Sequence, residues 1–205
     1  MDAGTFLGQL LLLVGQSFWI MFPAYVSGSA AVLFKGKVPM DFGRSWRGRR
    51  LLGDGKTWEG FIMGGLTGVF AGSMQQLYCT YMNQPSFTAF DLLVVGTFDP
   101  AFFASMSLGA LAVTACLSYG GLVGDLMKSF IKRRMGMERG TKSPLLMDQL
   151  DFVLGAWLVT IPLFPGWFFR VFGIFNFIII LVMAPLLHRA VNIVGYRLGA
   201  KKEPW

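Results

Sequence analysis

Histidine is almost missing from this 205-residue chain: His188 is its single example. Catalytic triads and zinc sites built from several imidazoles are therefore excluded. Cysteine is nearly as scarce. Cys79 and Cys116 both lie in or beside apolar runs, with no partner spacing for a metal or a disulfide, so helix packing is what they suggest. Charge is thin, at 14% of residues, and acids number only 11. No Lys or Arg precedes Lys35, and no small-residue cleavage pattern interrupts the first apolar run, so a cleaved signal peptide is not expected.

What the chain has in quantity is apolar surface. With 54% hydrophobic and 15% aromatic residues and a mean hydropathy of +0.56, it holds more than one soluble core can bury. The residues fall in continuous runs near the roughly 20 that a helix needs to cross a bilayer. Backbone amides in lipid must be satisfied within the segment, and continuous rather than alternating runs favour helices over a barrel.

The expected architecture is a single all-α integral-membrane domain over residues 1–205 with about five transmembrane helices. The first runs from about Thr5 to Phe34, with a kink expected at Pro23. The second runs from Trp58 to about Met82, and its Gly64, Gly68 and Gly72 recur every four residues, as close helix packing requires. Residues Asn83 to Pro100 read as a loop. The third span begins near Ala101, reaches Val123 and continues as an amphipathic helix to Arg134, before Gly136. The fourth runs from about Pro144 to Phe164. Pro162, Pro165 and Gly166 then turn the chain into a fifth, from Trp167 to about Leu187.

With five spans, the basic segments Lys35–Lys56, Lys128–Lys142 and Arg189–Lys202 share one side, leaving Arg170 as the single basic residue of eighteen on the other. The positive-inside rule then places the N-terminus outside, the C-terminus in the cytoplasm, and the loops at about 35–57 and 124–143 in the cytoplasm. Part of this charge needs no chemistry, because anionic headgroups attract Lys and Arg electrostatically.

Three segments carry candidate chemistry. In Ser118–Arg134, the residues Asp125, Lys128, Ser129, Lys132 and Arg133 fall at i, i+3, i+4, i+7 and i+8, one helical face. A carboxylate at the membrane end with a hydroxyl and three cations beyond it suits a metal bound to polyphosphate, and an ordinary juxtamembrane basic helix is the plainer alternative. In Lys142–Asp151, Asp148 and Asp151 stand near one turn apart among leucines. Uncompensated carboxylates at that depth cost roughly 2.5 to 3.5 kcal/mol each, so a bound cation, a basic partner or water at the interface is required. If the third and fourth helices pack antiparallel, Asp125, Asp148 and Asp151 can meet. Three carboxylates without a nearby imidazole favour Mg²⁺ over zinc.

The third segment is Leu51–Gly60. Gly53 and Gly55, on either side of Asp54, free the backbone for a turn, and Lys56 and Thr57 follow at the start of the second span, with Glu59 just inside it. Amides at a helix N-terminus joined by a Lys and a hydroxyl make a plausible phosphate cradle, and a bare turn capping a helix fits equally well. The spacing is not that of a P-loop, because Arg50 stands where the first Gly would be.

Together the segments resemble the integral-membrane CTP-dependent cytidylyltransferases that make CDP-activated lipids. The match rests on Gly124-Asp125-x-x-x-Ser129-x-x-Lys132-Arg133, then Asp148-x-x-Asp151, with Lys56-Thr57-Trp58-Glu59-Gly60 upstream, and covers roughly residues 20 to 155. The Pro-Gly-His-Gly-Gly stretch of the CDP-diacylglycerol synthases is missing. That departure and the short chain look like the archaeal branch, the CDP-archaeol synthase family, which uses an isoprenoid ether of glycerol-1-phosphate.

The resemblance implies that a lipid phosphate attacks the α-phosphorus of CTP and expels pyrophosphate at the cytoplasmic face of the cell membrane. It implies Mg²⁺ on Asp125, Asp148 and Asp151, with Lys132 beside them in the catalytic group. Gly53, Asp54, Gly55, Lys56, Thr57, Glu59, Lys128, Ser129, Arg133 and Lys142 would bind the nucleotide. The expected partners are CTP, a lipid phosphate acceptor and the bilayer, with no nucleic acid. A CDP-diacylglycerol synthase acting on ester phosphatidate, an anion transporter and a non-catalytic lipid-binding subunit are the competing readings. The outer halves of the spans carry almost no charge, which argues against a transport path.

Overall fold

The computed structural model of the protein describes residues 3–82, 108–137 and 147–197. The expected loop 83–100, the opening of the third expected span at 101–107 and Lys142 lie outside the described residues. Among the described residues, six helices and one small hairpin form in chain order: α1 (Ala3–Leu33), β1 (Ser45–Trp46), β2 (Arg49–Arg50), α2 (Trp58–Met82), α3 (Leu108–Arg134), α4 (Met147–Leu163), α5 (Pro165–Val171) and α6 (Ile174–Arg197).

Small residues decide how the long helices meet. A β-carbon at Gly64 would stand 2.8 Å from the Ser27 carbonyl oxygen, and one at Gly68 would stand 2.6 Å from that of Pro23. The four-residue glycine stripe of α2 thus lets its backbone press on α1, as the spacing predicts. A second contact joins α3 to α4, where a β-carbon at Gly124 would stand 2.8 Å from the Gly155 α-carbon and would overlap the Asp151 carbonyl oxygen. These two pack most extensively of any pair among the described helices, and α1 and α2 close the bundle against α3.

Helix ends follow local chemistry. The Thr57 side chain caps α2 by accepting the Gly60 amide at 3.3 Å. At the other end of α3, Gly136 takes a φ of +79°. Its amide donates to the Arg133 carbonyl at 3.2 Å, and the Met137 amide donates to that of Lys132 at 3.0 Å, a Schellman stop. Arg47 and Gly48, both at positive φ, form the two-residue turn of the hairpin, with Trp46 paired to Arg49.

The single helix expected over Trp167–Leu187 is divided. The chain leaves α5 after Val171, extends at Phe172 with φ −94° and ψ 92°, and re-enters a helix at Ile174. Gly173 weakens the helix there. The break also lets Phe172 stack on Phe168 with centroids 4.4 Å apart and lets Phe177 meet Trp157 edge-on at 4.6 Å. This aromatic group joins Met21, Leu117 and Val153 in the buried core.

Three described helices are long and apolar enough to cross a membrane, over Thr5–Leu33, Gly109–Arg134 and Ile174–Val194. The large side chains Leu66, Phe70, Leu158, Ile178 and Val182 point outward from α2, α4 and α6. Water would penalise such faces and hydrocarbon would not. The chain is an all-α membrane protein.

Candidate functional site

The end of the bundle that carries the hairpin also gathers the acids. Close approach of Gly124 and Gly155 leaves no room for side chains between α3 and α4, so Asp125, at the next position, and Asp151, one turn before Gly155, are drawn to the same level. Lys128 stands between them. Its Nζ lies 3.0 Å from Asp125 Oδ1, 2.5 Å from Asp151 Oδ2 and 3.6 Å from Asp148 Oδ1. Lys132, one turn on, reaches Asp148 at 3.2 Å. Lys56 closes the group from the α2 side with an ion pair to Asp125. Three carboxylates from two helices and three ammonium groups from two segments therefore form one mixed cluster. The Asp151 side chain is almost wholly buried, at 2% exposure, and Asp148 is the most open of the acids at 30%.

Such a cluster offsets the cost of placing carboxylates at this depth, because each acid has at least one ammonium partner. It also fits a hard divalent cation by donor chemistry. Among the described residues no three acids form a ready-made metal cage, yet Asp125, Asp148 and Asp151 all converge on the Lys128 ammonium, with Lys56 and Lys132 pairing Asp125 and Asp148 from outside. All-oxygen donors are what Mg²⁺ takes.

The other expected residues sit nearby with more varied surroundings. Arg133 turns away from the acids: it lies over Gly53, whose added β-carbon would stand 3.2 Å from the guanidinium Nε, and its Nη1 donates to the Met137 carbonyl at 2.7 Å. Ser129 is buried. The Thr57 hydroxyl oxygen accepts the Gly36 amide at 3.2 Å as well as its capping bond. Glu59 accepts the amides of Lys37 at 3.0 Å and Val38 at 3.2 Å, so it braces the strand of chain leaving α1. Asp54 is 76% exposed and pairs with Arg50 at 2.8 Å. The structure thus brings together Lys56, Asp125, Lys128, Lys132, Asp148 and Asp151, places Gly53 and Arg133 beside one another, and leaves Asp54 in solvent.

Two residues organise this end although no motif marks them. Asp41 is buried and accepts from the amides of Gly43 at 3.1 Å, Leu52 at 3.0 Å and Gly53 at 3.0 Å, and from Arg50 through Nε at 3.2 Å and Nη2 at 2.7 Å. Burial alone would raise its pKa, but Arg50 and the Gly53, Leu52 and Gly43 amides outweigh that and hold the carboxyl well below the usual carboxylate range. Arg134 donates to the carbonyls of Trp46 at 2.6 Å, Arg49 at 3.0 Å and Arg50 at 2.7 Å, and its guanidinium lies 5.2 Å from the Trp46 ring centre. A buried Asp before Phe-Gly is a turn signal that sequence alone could have raised. The Arg134 clasp depends on a fold contact and had none.

Comparison with known proteins agrees with this picture. Residues 10–205 match the family described as CarS-like: CDP-archaeol synthase. A CDP-archaeol synthase of Methanosarcina acetivorans is 43% identical over 186 residues, covering 90% of this chain and all of the relative. One of Halorubrum lacusprofundi is 43% identical over 193 residues, covering 94% and 98% of the two chains. A solved structure, described as an intramembrane enzyme for archaeal membrane lipids biosynthesis, superposes with a TM-score of 0.64 at 33% identity, covering 86% of this chain and 92% of the other.

Proposed function

Because the chain belongs to the CDP-archaeol synthase family, a group of CTP-dependent cytidylyltransferases of archaeal lipid biosynthesis, we propose that its mixed acid and lysine cluster is where CMP passes from CTP to a lipid phosphate. The acceptor is an isoprenoid ether of glycerol-1-phosphate and the products are the CDP-activated lipid and pyrophosphate. A phosphate oxygen of the acceptor forms the new bond to the α-phosphorus of CTP, and the bond from that phosphorus to the β-phosphate bridging oxygen breaks. The acceptor phosphate is already ionised near neutral pH, so no side chain has to remove a proton.

The chain's own residues hold and neutralise. Lys56 approaches from the loop before α2, and Lys128 and Lys132 from α3, so that three ammonium groups can meet a triphosphate from two sides. Arg133, beside the Gly53 backbone, extends the cationic surface toward the loop. Asp125, Asp148 and Asp151 would hold Mg²⁺, which when bound neutralises phosphate charge. Positioning and electrostatics carry most of the acceleration in phosphoryl chemistry, and this site is built of little else.

The single observation that carries the reading is the convergence of three carboxylates from α3 and α4 on one ammonium, flanked by Lys56 and Lys132. The position at the basic end of the bundle supports a multi-pass protein of the cell membrane, with five spans (α1, α2, α3, α4 and α6), the N-terminus outside and the site facing the cytoplasm. Water-soluble CTP would arrive from that side while the acceptor's chains stay in the bilayer. The test is purified protein in detergent with labelled CTP and either an ether glycerol-1-phosphate lipid or an ester phosphatidate. Lipid-linked CMP and pyrophosphate should appear with Mg²⁺, vanish with a chelator and return when Mg²⁺ is restored. Absence of both products with both acceptors would refute the assignment.

A further inference from the structure

We propose that Asp41 is a positioning residue for the nucleotide: its buried carboxylate fixes the loop 51–56 so that the Gly53 backbone meets Arg133 and Lys56 meets Asp125. This role rests on the proposed reading of that loop as part of the CTP site.

Backbone bonds tie the two ends of the loop between the hairpin and α2: the Leu51 amide donates to the Arg44 carbonyl at 3.1 Å, and the Lys56 carbonyl accepts the Met40 amide at 2.8 Å beside the Pro39–Thr57 bridge. Between them Gly53 sits at φ +90°, its carbonyl accepting the Lys56 amide at 3.2 Å. The middle of the loop, Leu52 and Gly53, is shaped by Asp41. One oxygen of that carboxylate accepts both the Leu52 and Gly53 amides and Arg50 Nε, while the other accepts the Gly43 amide and Arg50 Nη2. Five donors on a side chain with no exposed surface replace the water it has lost. Asp41 itself touches none of the acids or lysines of the cluster in any described contact.

The consequence propagates along a short path. Fixing the Gly53 amide fixes the face of Gly53 on which the Arg133 guanidinium lies. Three residues later the chain delivers Lys56 to Asp125. Arg50 ties the same carboxylate to the hairpin, and the hairpin is held to the end of α3 by Arg134. Asp41 thereby sets the distance between the loop and the α3 face, which are the two surfaces that would meet a triphosphate. Its isosteric amide keeps the shape but loses the charge that makes the Arg50 pair and that lets one oxygen accept three donors.

The test is Asp41→Asn, with Arg50→Gln as a second variant that leaves the three amide bonds in place. Steady-state kinetics are measured on full-length protein in detergent with CTP and the ether lipid phosphate, alongside thermal unfolding followed by helical circular dichroism and trypsin cleavage at Arg44, Arg47 and Arg49. Asp41→Asn should raise the KM for CTP about tenfold or more and speed cleavage of the hairpin segment. It should leave the KM for the lipid within about twofold while lowering the unfolding temperature through loss of the buried charge pair, and Arg50→Gln should move the same quantities less. An unchanged KM for CTP overturns the positioning role. So does a parallel rise in both KM values, since that marks general loosening. If wild-type protein itself makes no lipid-linked CMP, the proposed function fails first, and the two failures are told apart.

Discussion

Substituting Gly124 by Ala tests whether the acids are aligned by a backbone contact. The added carbon would lie 2.8 Å from the Gly155 α-carbon, whereas carbon atoms settle about 3.5 to 4.0 Å apart. Helices α3 and α4 must therefore separate locally by about 1 Å, more if the overlap with the Asp151 carbonyl is also relieved. Forced insertion into a tight interface costs about 1 to 3 kcal/mol of stability. The effect on turnover should be larger in proportion, because a displacement of about 1 Å at a positioned reacting group can cost on the order of 100-fold. Lys128 holds Asp125 from its own helix and Asp151 from the neighbour, so this separation stretches the shared contact directly. Gly15→Ala is the matched control, since its added carbon meets nothing within 4 Å. The assay is lipid-linked CMP formation at saturating CTP, with thermal unfolding measured in parallel. Turnover within about threefold of wild type for Gly124→Ala would refute the argument that this contact sets the site.

Two further outcomes are expected. Thr57→Val removes the acceptor shared by the Gly36 and Gly60 amides, so unfolding should shift by about 1 kcal/mol and Thr57→Ser should restore it; a silent Thr57→Val in detergent denaturation would deny the capping role. For Asp41, a carboxyl depressed in the folded state contributes stability above its unfolded value of about 3.9, lost only as pH falls through the lower folded value. Amide exchange at Leu52 and Gly53, corrected for intrinsic rates, should then be equally protected from pH 8 to pH 5, and loss of protection by pH 5.5 would contradict it.

How much of this was legible in the sequence depended on whether the signal was local. The charged face of α3 was, because offsets of three and four fix which residues share a side before any packing is known. The stripe Gly64, Gly68, Gly72 was too. Gly120 and Gly124 also stand four apart and both press on α4 at Gly155, but spacing on one helix does not say which neighbour it meets, so the contact that brings the acids together could only be conjectured from the short connection between α3 and α4. The division of the last expected span was hidden for a different reason. Residues 167–187 are apolar apart from Arg170 and Asn176, Gly173 alone does not end a helix, and the gain from burying Phe172 against Phe168 comes from tertiary contacts that periodicity does not record. Lys128 read as a phosphate ligand at the surface of one helix; that it sits among three carboxylates follows only from the packing of α4. Glu59 and Thr57, adjacent to the lysine in the motif, bind backbone amides across the loop, a use that residue type alone does not distinguish from binding phosphate.

The Arg134 clasp has a bearing on how the protein is made. It joins positions more than eighty residues apart, 134 to 46, 49 and 50, and its hydrogen bonds from the Arg134 side chain end on main-chain oxygens of the hairpin. In the proposed five-span topology it cannot form while the chain emerges, because α2 and the whole of α3 must first cross and return their ends to one side. An inserted chain with one helix inverted would carry Arg134 and the hairpin on opposite faces of the membrane and could never close it. In that topology the clasp would be a late step of biogenesis that reads out correct insertion, and a chain that fails it would expose a basic hairpin to proteases of the compartment where it is stranded.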